Sequence, residues 1–409
     1  MRAFATSMEI PAGTLAILGA AAMLAGCASL TRTPLPPELA EQASIPGMPD
    51  VRAWAGRRSP AMERDLEESF AQELAAEFSA GPDGLVSYPH LALSGGGAYG
   101  AFGAGFLNGW SSTGRRPVFK IVTGVSTGAL MAPFAFLGQT YDGALRDFYT
   151  TTRSRDIFAR GSLLGRLLAG ESIADTAPLA ALIARDVDDL FLSGVAAAHR
   201  QGRRLYIGTA NLDAQQFVVW NMGLIAASSH PAAPDLFRKV MLASASIPVA
   251  FPPVFFDVEA GGRRYDEMHV DGGVGTRVFY NAGLFSAATL RARAGREGGR
   301  EDVFVIHNGR LVAEPSPTPR TLRGIAVRSL EASGRAAVVG DLVRIYTAAA
   351  REQATFQWVD IPDGVDLTAS EAFDPVQMTR LFEAGFEYAR RGPVWYTQPP
   401  GFRPTDTAP

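Results

Sequence analysis

The sequence predicts an α/β fold, with a mainly parallel central sheet covered by helices on both faces, and three observations lead there. Short apolar runs alternate with helical patterns along most of the chain, as expected for parallel strands joined by helical crossovers. Two of those runs pass into glycine-rich turns that open helical segments, His90–Ser94 into "GGGAYG" and Phe119–Ser126 into an apolar stretch from Gly128 to Leu137. With 409 residues and 47% hydrophobic content, the chain can bury a large core. A formal charge of −3 gives no sign of a nucleic-acid partner.

The N-terminus opens with "TLAILGAAAMLA", Thr14 to Ala25, an apolar run too short to span a bilayer and suited to the core of a signal peptide. It ends in Leu24-Ala25-Gly26-Cys27, which resembles the bacterial lipobox, whose cysteine becomes the lipid-modified first residue of a lipoprotein. The other reading is an ordinary cleaved signal or N-terminal helix with a buried cysteine. Cys27 is the sole cysteine, so no other thiol is present for disulfide, metal or redox work. The reading adopted is a signal peptide over 1–26 and a lipid-anchored, Pro-rich extended tether over 27–60. Ala28 after the cysteine resembles outer-membrane sorting, which would place the chain in the cell envelope, facing the periplasm if the cell is Gram-negative.

Beyond the tether, Met62, Leu66, Phe70, Leu74 and Phe78 recur every four residues, which predicts an amphipathic helix over Ala61–Phe78 that packs beside the core. Strands are predicted at His90–Ser94, Phe119–Ser126, Arg204–Thr209, Phe217–Trp220, Val254–Val258, Tyr265–Val270 and Val303–His307. Helices are predicted at Gly128–Leu137, Pro231–Ala245, Thr321–Arg351 and Pro375–Arg390. Arg291–Arg300 reads as a surface loop, Asp266 and Glu267 as solvated turn residues, and 399–409 as a solvated tail. The folded domain is expected over 61–398.

"LALSGGGAYGAFGAG", Leu91 to Gly105, carries two readings. Gly95, Gly97 and Gly100 fit the G-x-G-x-x-G of a dinucleotide-binding turn, but a glycine-rich loop after a strand can equally offer N–H groups to the oxyanion of acyl transfer. A ribose-binding acidic residue about 20 positions on is missing, since no Asp or Glu occurs before Asp142. "GVSTG", Gly124 to Gly128, fits the G-x-S-x-G of a strand-to-helix nucleophile turn, with Ser126 as the nucleophile.

A serine nucleophile requires a base. None of His90, His199, His230, His269 and His307 stands in a signature setting for a triad, whereas "HVDGG" ends an apolar run at Asp271 with two glycines after it. His269 shares a strand face with Asp271 and could orient or replace the base; the reading preferred is a polar residue with no catalytic part.

Taken in order, "GGGAYG", "GVSTG" and "DGG", with "ASASIPVAFPPV" at Ala243–Val254 before the last, resemble the patatin-like phospholipases. The resemblance covers roughly Leu91 to Asn308 and implies a patatin-like three-layer fold. It further implies a Ser126–Asp271 dyad without histidine, an oxyanion hole at Gly95, Gly96 and Gly97, and hydrolysis of (phospho)lipid acyl esters through an acyl-serine intermediate. Tyr99 stands where that family commonly has Arg or Lys, and the Asn-Pro pair usual after "DGG" is absent. The alternative function is a non-catalytic envelope lipoprotein that binds or scaffolds lipid. Expected partners are the lipid or acyl-ester substrate and a membrane surface reached through the anchor. Nothing in the chain calls for a metal or organic cofactor, and no feature reports on oligomeric state.

Overall fold

Buried parallel strands are apolar throughout, because helices cover both faces, and the runs that predicted them take that place here. A computed structural model describes residues 32–160, 174–312, 315 and 317–402. The signal-peptide segment and Cys27 lie outside the described residues, as do 403–409 of the tail.

The main sheet contains β1 (Arg52–Trp54), β2 (Val86–Leu93), β3 (Ile121–Val125), β4 (Arg204–Asn211), β5 (Gln216–Asn221), β6 (Val254–Ala260), β7 (Arg263–Asp271), β8 (Gly299–Ile306) and β9 (Thr355–Val359). Its order is β1-β5-β4-β3-β2-β8-β9, with β7 paired to the end of β4 and β6 paired to β7. From β4 to β9 the neighbours are parallel, while β1, β5, β6 and β7 join antiparallel.

Side chains alternate between two cores, as the strand period of two requires. Leu91, Leu93, Val122, Leu205 and Ile207 enter one apolar core. Ile121, Val125 and Tyr206 enter a second, with Met62 and Leu66 of α1 (Pro60–Ser69). The longer helices are α2 (Gly100–Ser112), α3 (Thr127–Leu137), α4 (Asp142–Thr151), α5 (Ala177–Asp186), α6 (Asp189–Arg200), α7 (Ala233–Ser244), α8 (Leu322–Arg351) and α9 (Pro375–Arg390), beside shorter helical segments. Ala92, Val303, Val305 and Trp358 pack against Val338, Leu342 and Ile345 of α8. Among the described residues no helix is long and apolar enough to cross a membrane.

The glycines of α2 work as contact points. A Cβ on Gly105 would lie 1.9 Å from Phe382 O of α9, and one on Gly385 of α9 would lie 2.1 Å from Phe102 O, so the two helices touch backbone to backbone.

Four expectations change. The predicted helix Ala61–Phe78 stops at Ser69, because Lys120, buried at the start of β3, draws the following chain inward. Its Nζ donates to Ser69 O at 3.2 Å and to Glu73 Oε1 at 2.5 Å, and a buried ammonium without such partners is costly.

The segment 32–60 is no free tether, at least from Arg32 onward. Leu35 N donates to Asp266 O, Ser44 and Glu259 exchange backbone bonds, β1 pairs with β5, and Ile45, Met48 and Val51 are buried in the core. Prolines disguised this stretch, since they suppress periodicity without preventing apolar side chains from docking.

Asp266 and Glu267 are strand residues of β7. Asp266 takes Arg32 Nε at 2.7 Å, and the buried Glu267 pairs with Arg52 of β1. Burial alone would raise the Glu267 carboxyl, but bonds from His269 and Arg52 hold it near 2. Finally, Arg291 in the expected surface loop is buried, with its Nε on Glu301 Oε1 at 2.8 Å.

Candidate active site

Ser126 sits between β3 and α3 with φ 56° and ψ −125°, a conformation that L-residues rarely adopt. The flanking glycines make this turn feasible. A Cβ on Gly124 would lie 2.4 Å from Gly128 O, and one on Gly128 would lie 2.3 Å from Leu93 O. The serine therefore stands proud at the carboxyl end of a parallel strand, directly before the N-terminus of α3, whose dipole favours negative charge there.

Asp271 ends β7, 145 residues further along the chain, and Ser126 Oγ donates to its Oδ2 at 2.5 Å. Gly273 N donates to Oδ1 at 2.7 Å. The carboxyl is buried, and that burial pushes its pKa up to about 6 against the pull of the Ser126 and Gly273 bonds and of nearby Arg277.

The block at Ala243–Val254 explains itself structurally. Ser244 Oγ accepts Ser126 N–H at 3.0 Å and donates to Gly208 O at 2.6 Å, while Ser246 O accepts Asp271 N–H at 2.8 Å. One short segment thus holds the backbones of both residues.

The three glycines expected to form an oxyanion hole part company. Gly95 N–H is engaged by Arg277 O at 3.0 Å, so it is not free for an oxyanion, and the expectation is corrected for that residue. What Gly95 contributes is proximity, because a Cβ there would lie 3.1 Å from Ser126 Cβ. Among the described residues the N–H groups of Gly96 and Gly97 have no hydrogen-bond partner, and Gly97 shares a cavity wall with Ser126.

Two residues not singled out by the sequence reading hold this loop. Asn308 N donates to Ser94 Oγ at 2.8 Å and Asn308 Nδ2 to Ser94 O at 2.8 Å, while Ser94 Oγ also lies 3.0 Å from His307 Nδ1. A Cβ on Gly96 would strike Asn308 O at 2.0 Å. The available signal was positional: polar residues just past a parallel strand, β8, that neighbours β2, stand where α/β sheets place their sites.

No histidine bonds Ser126 or Asp271 among the described residues. His269 Nδ1 lies 2.8 Å from Thr209 Oγ1 and its Nε2 3.2 Å from Glu267 Oε2, which turns the ring away from Asp271. Burial lowers His90 and His199 to about 3 and, with Arg277, His307 to about 4.

Beside Ser126 opens a narrow apolar pocket whose walls include Leu130, Phe148, Ile157, Phe251, Phe373 and Met378. The segment along it carries Ile247 and Val249 outward; Val249 is 72% exposed and has φ 70°, an unusual backbone for a β-branched residue.

An apolar cavity walled by a serine that faces a buried carboxyl suits a substrate with an acyl chain, and by class the chain is a lipid acyl hydrolase. The family follows from the sequence: residues 91–285 match the model for patatin-like phospholipase, so this stretch is a patatin-like phospholipase domain. No curated protein matches the chain. Among solved structures it is similar to VipD from Legionella pneumophila, at 13% identity over 77% of this chain and 69% of that one, with a TM-score of 0.38. Human GIVD cytosolic phospholipase A2 is similar at 11% identity over 83% and 63%, with a TM-score of 0.33. The type III effector ExoU is similar at 14% identity over 75% and 53%, with a TM-score of 0.22.

Proposed function

We propose that the chain hydrolyses lipid acyl esters through a Ser126–Asp271 dyad and an acyl-serine intermediate. The observation that carries this reading is the 2.5 Å bond from Ser126 Oγ to Asp271 Oδ2, made on a strained turn beside an apolar cavity.

Asp271 takes the Ser126 proton as Oγ attacks the ester carbonyl. The carbonyl oxygen becomes an oxyanion, which Gly96 and Gly97 N–H receive at the head of α3. Collapse expels the alcohol, which leaves with the proton from Asp271. Water, deprotonated by the same carboxylate, then attacks the acyl-serine and releases the fatty acid, restoring Ser126. A carboxyl poised near 6 is mostly ionised at neutral pH and still basic enough to accept the proton. The acyl chain occupies the cavity, where each buried methylene contributes about 0.8 kcal/mol.

The test is labelling with a fluorophosphonate and location of the adduct by mass spectrometry. Ser126 is expected to carry the adduct in the wild type and in His269→Ala, and to lose it in Asp271→Ala. A protein that resists the probe while still binding lipid would instead be the scaffolding lipoprotein.

The lipobox-like Leu24–Cys27 supports a further part of the proposal, that Cys27 is lipidated and holds the domain on an envelope membrane, the outer membrane if the cell is Gram-negative. Mass spectrometry of the protein matured in bacteria is expected to show a chain beginning at an acylated Cys27; an unmodified Cys27 would refute it.

A further inference from the structure

We infer that Arg277 forms the head-group subsite and selects lipids that carry a phosphate. This rests on the role proposed above for Ser126 and Asp271. Arg277 follows Asp271 by one short turn, Gly272–Val274, and its backbone is fixed at both ends. Its N–H donates to Asp341 Oδ2 at 2.7 Å, and its carbonyl accepts Gly95 N–H at 3.0 Å.

The side chain runs back toward the dyad. A Cβ on Gly273 would lie 2.9 Å from Asp271 Oδ1, 3.3 Å from Arg277 Cδ and 3.4 Å from Arg277 Nη1. Carboxyl and guanidinium thus flank one missing methyl group, yet no ion pair joins them. On the far side, Arg277 Nη2 is 3.1 Å from the Cβ position of Gly334 in α8. Held in this slot between two glycines, Arg277 has a buried Nε with no partner, and none of its side-chain N–H groups meets an acceptor among the described residues.

An arginine fork left without acceptors beside a reacting ester is matched by a phosphate, whose oxygens take two parallel N–H bonds. The acyl cavity does not serve that half of a phospholipid: its lining holds no charged group, and Arg277 is not part of it. A phospholipid would therefore divide at Ser126, with its chain in the cavity and its phosphate on the Asp271 side, against Arg277. A neutral ester has no group to offer there.

The test compares kcat/KM on a short-chain phosphatidylglycerol and on p-nitrophenyl butyrate for wild type, Arg277→Gln and Arg277→Lys, each with a pH profile. The ratio of the two is expected to fall at least tenfold in Arg277→Gln, carried by KM on the phospholipid, and to recover in part in Arg277→Lys. Gly334→Val, which keeps the charge and crowds the fork, is expected to lower the same ratio. An equal loss on both substrates, or an acid limb that moves at constant ratio, overturns the inference, because Arg277 then acts only on Asp271.

Calorimetric binding of the phospholipid to the Ser126→Ala protein reads the subsite without turnover, and adding Arg277→Gln is expected to weaken it at least tenfold. Inorganic phosphate that binds as tightly as the lipid overturns the head-group assignment in favour of a free anion. A wild type that hydrolyses neither substrate but shows this Arg277-dependent binding refutes the acyl-hydrolase reading and supports the subsite.

Discussion

Replacing Ser126 by alanine is expected to lower kcat on lipid esters by on the order of 10⁴- to 10⁶-fold, with a small change in KM, since the lost atom is the one proposed to attack. The fold should survive. Alanine meets the same φ of 56° as serine does, Gly124 and Gly128 still open the turn, and Ser244 still takes the Ser126 backbone N–H. Among the described residues Ser126 Oγ bonds only Asp271, so its removal touches no other buried partner there. Steady-state kinetics paired with thermal melting checks both halves: a melting temperature near that of the wild type with residual turnover above one part in a thousand would show that Ser126 is not the nucleophile.

Asp271→Asn is expected to reduce kcat by about 10³- to 10⁴-fold, because the amide keeps the geometry and cannot accept the proton. Its effect on stability runs the other way. Burial raises the Asp271 carboxyl from 3.8 to about 6, so the folded state binds more protons than the unfolded state between these pH values. The group's contribution therefore falls as pH rises through that window, and above it the ionised carboxyl costs roughly 2–3 kcal/mol. Asp271→Asn is accordingly expected to unfold at a higher temperature than the wild type at pH 8, with the gain fading toward pH 4. In the wild type, kcat/KM is expected to drop as pH falls through about 6, when the base becomes protonated. A flat acid limb together with an unchanged melting curve would contradict the assignment.

The sheet was legible because its central strands are apolar on both faces, and the strand-to-helix turn at Ser126 because Gly124 and Gly128 leave a fixed spacing around it. Asp271 was legible only through motif order, since nothing local to "HVDGG" shows that Ser126 lies opposite. What stayed hidden depends on partners distant in sequence. Gly95 looks like any other glycine of its loop until Arg277 O takes its N–H. His307 and Asn308 matter because β8 lies beside β2, and Arg277 because α8 closes over it at Gly334. Glu267 read as a solvated turn because its counter-ion, Arg52, comes from a stretch whose prolines suggested slack chain.

That stretch sets the length of a leash. With Pro34 bridged to Asp266, the chain from Cys27 to the docked segment can extend at most about 25 Å, and a domain of this length has a radius of gyration of about 20 Å. An acyl group on Cys27 would thus hold the body no farther from its lipids than roughly its own radius. The domain could roll on that membrane and bring the mouth beside Ile247 and Val249 down to it, but could not work on a facing one. Its substrates would be drawn from the sheet of lipid that carries it, at a local concentration fixed by the leash and not by diffusion through the surrounding water.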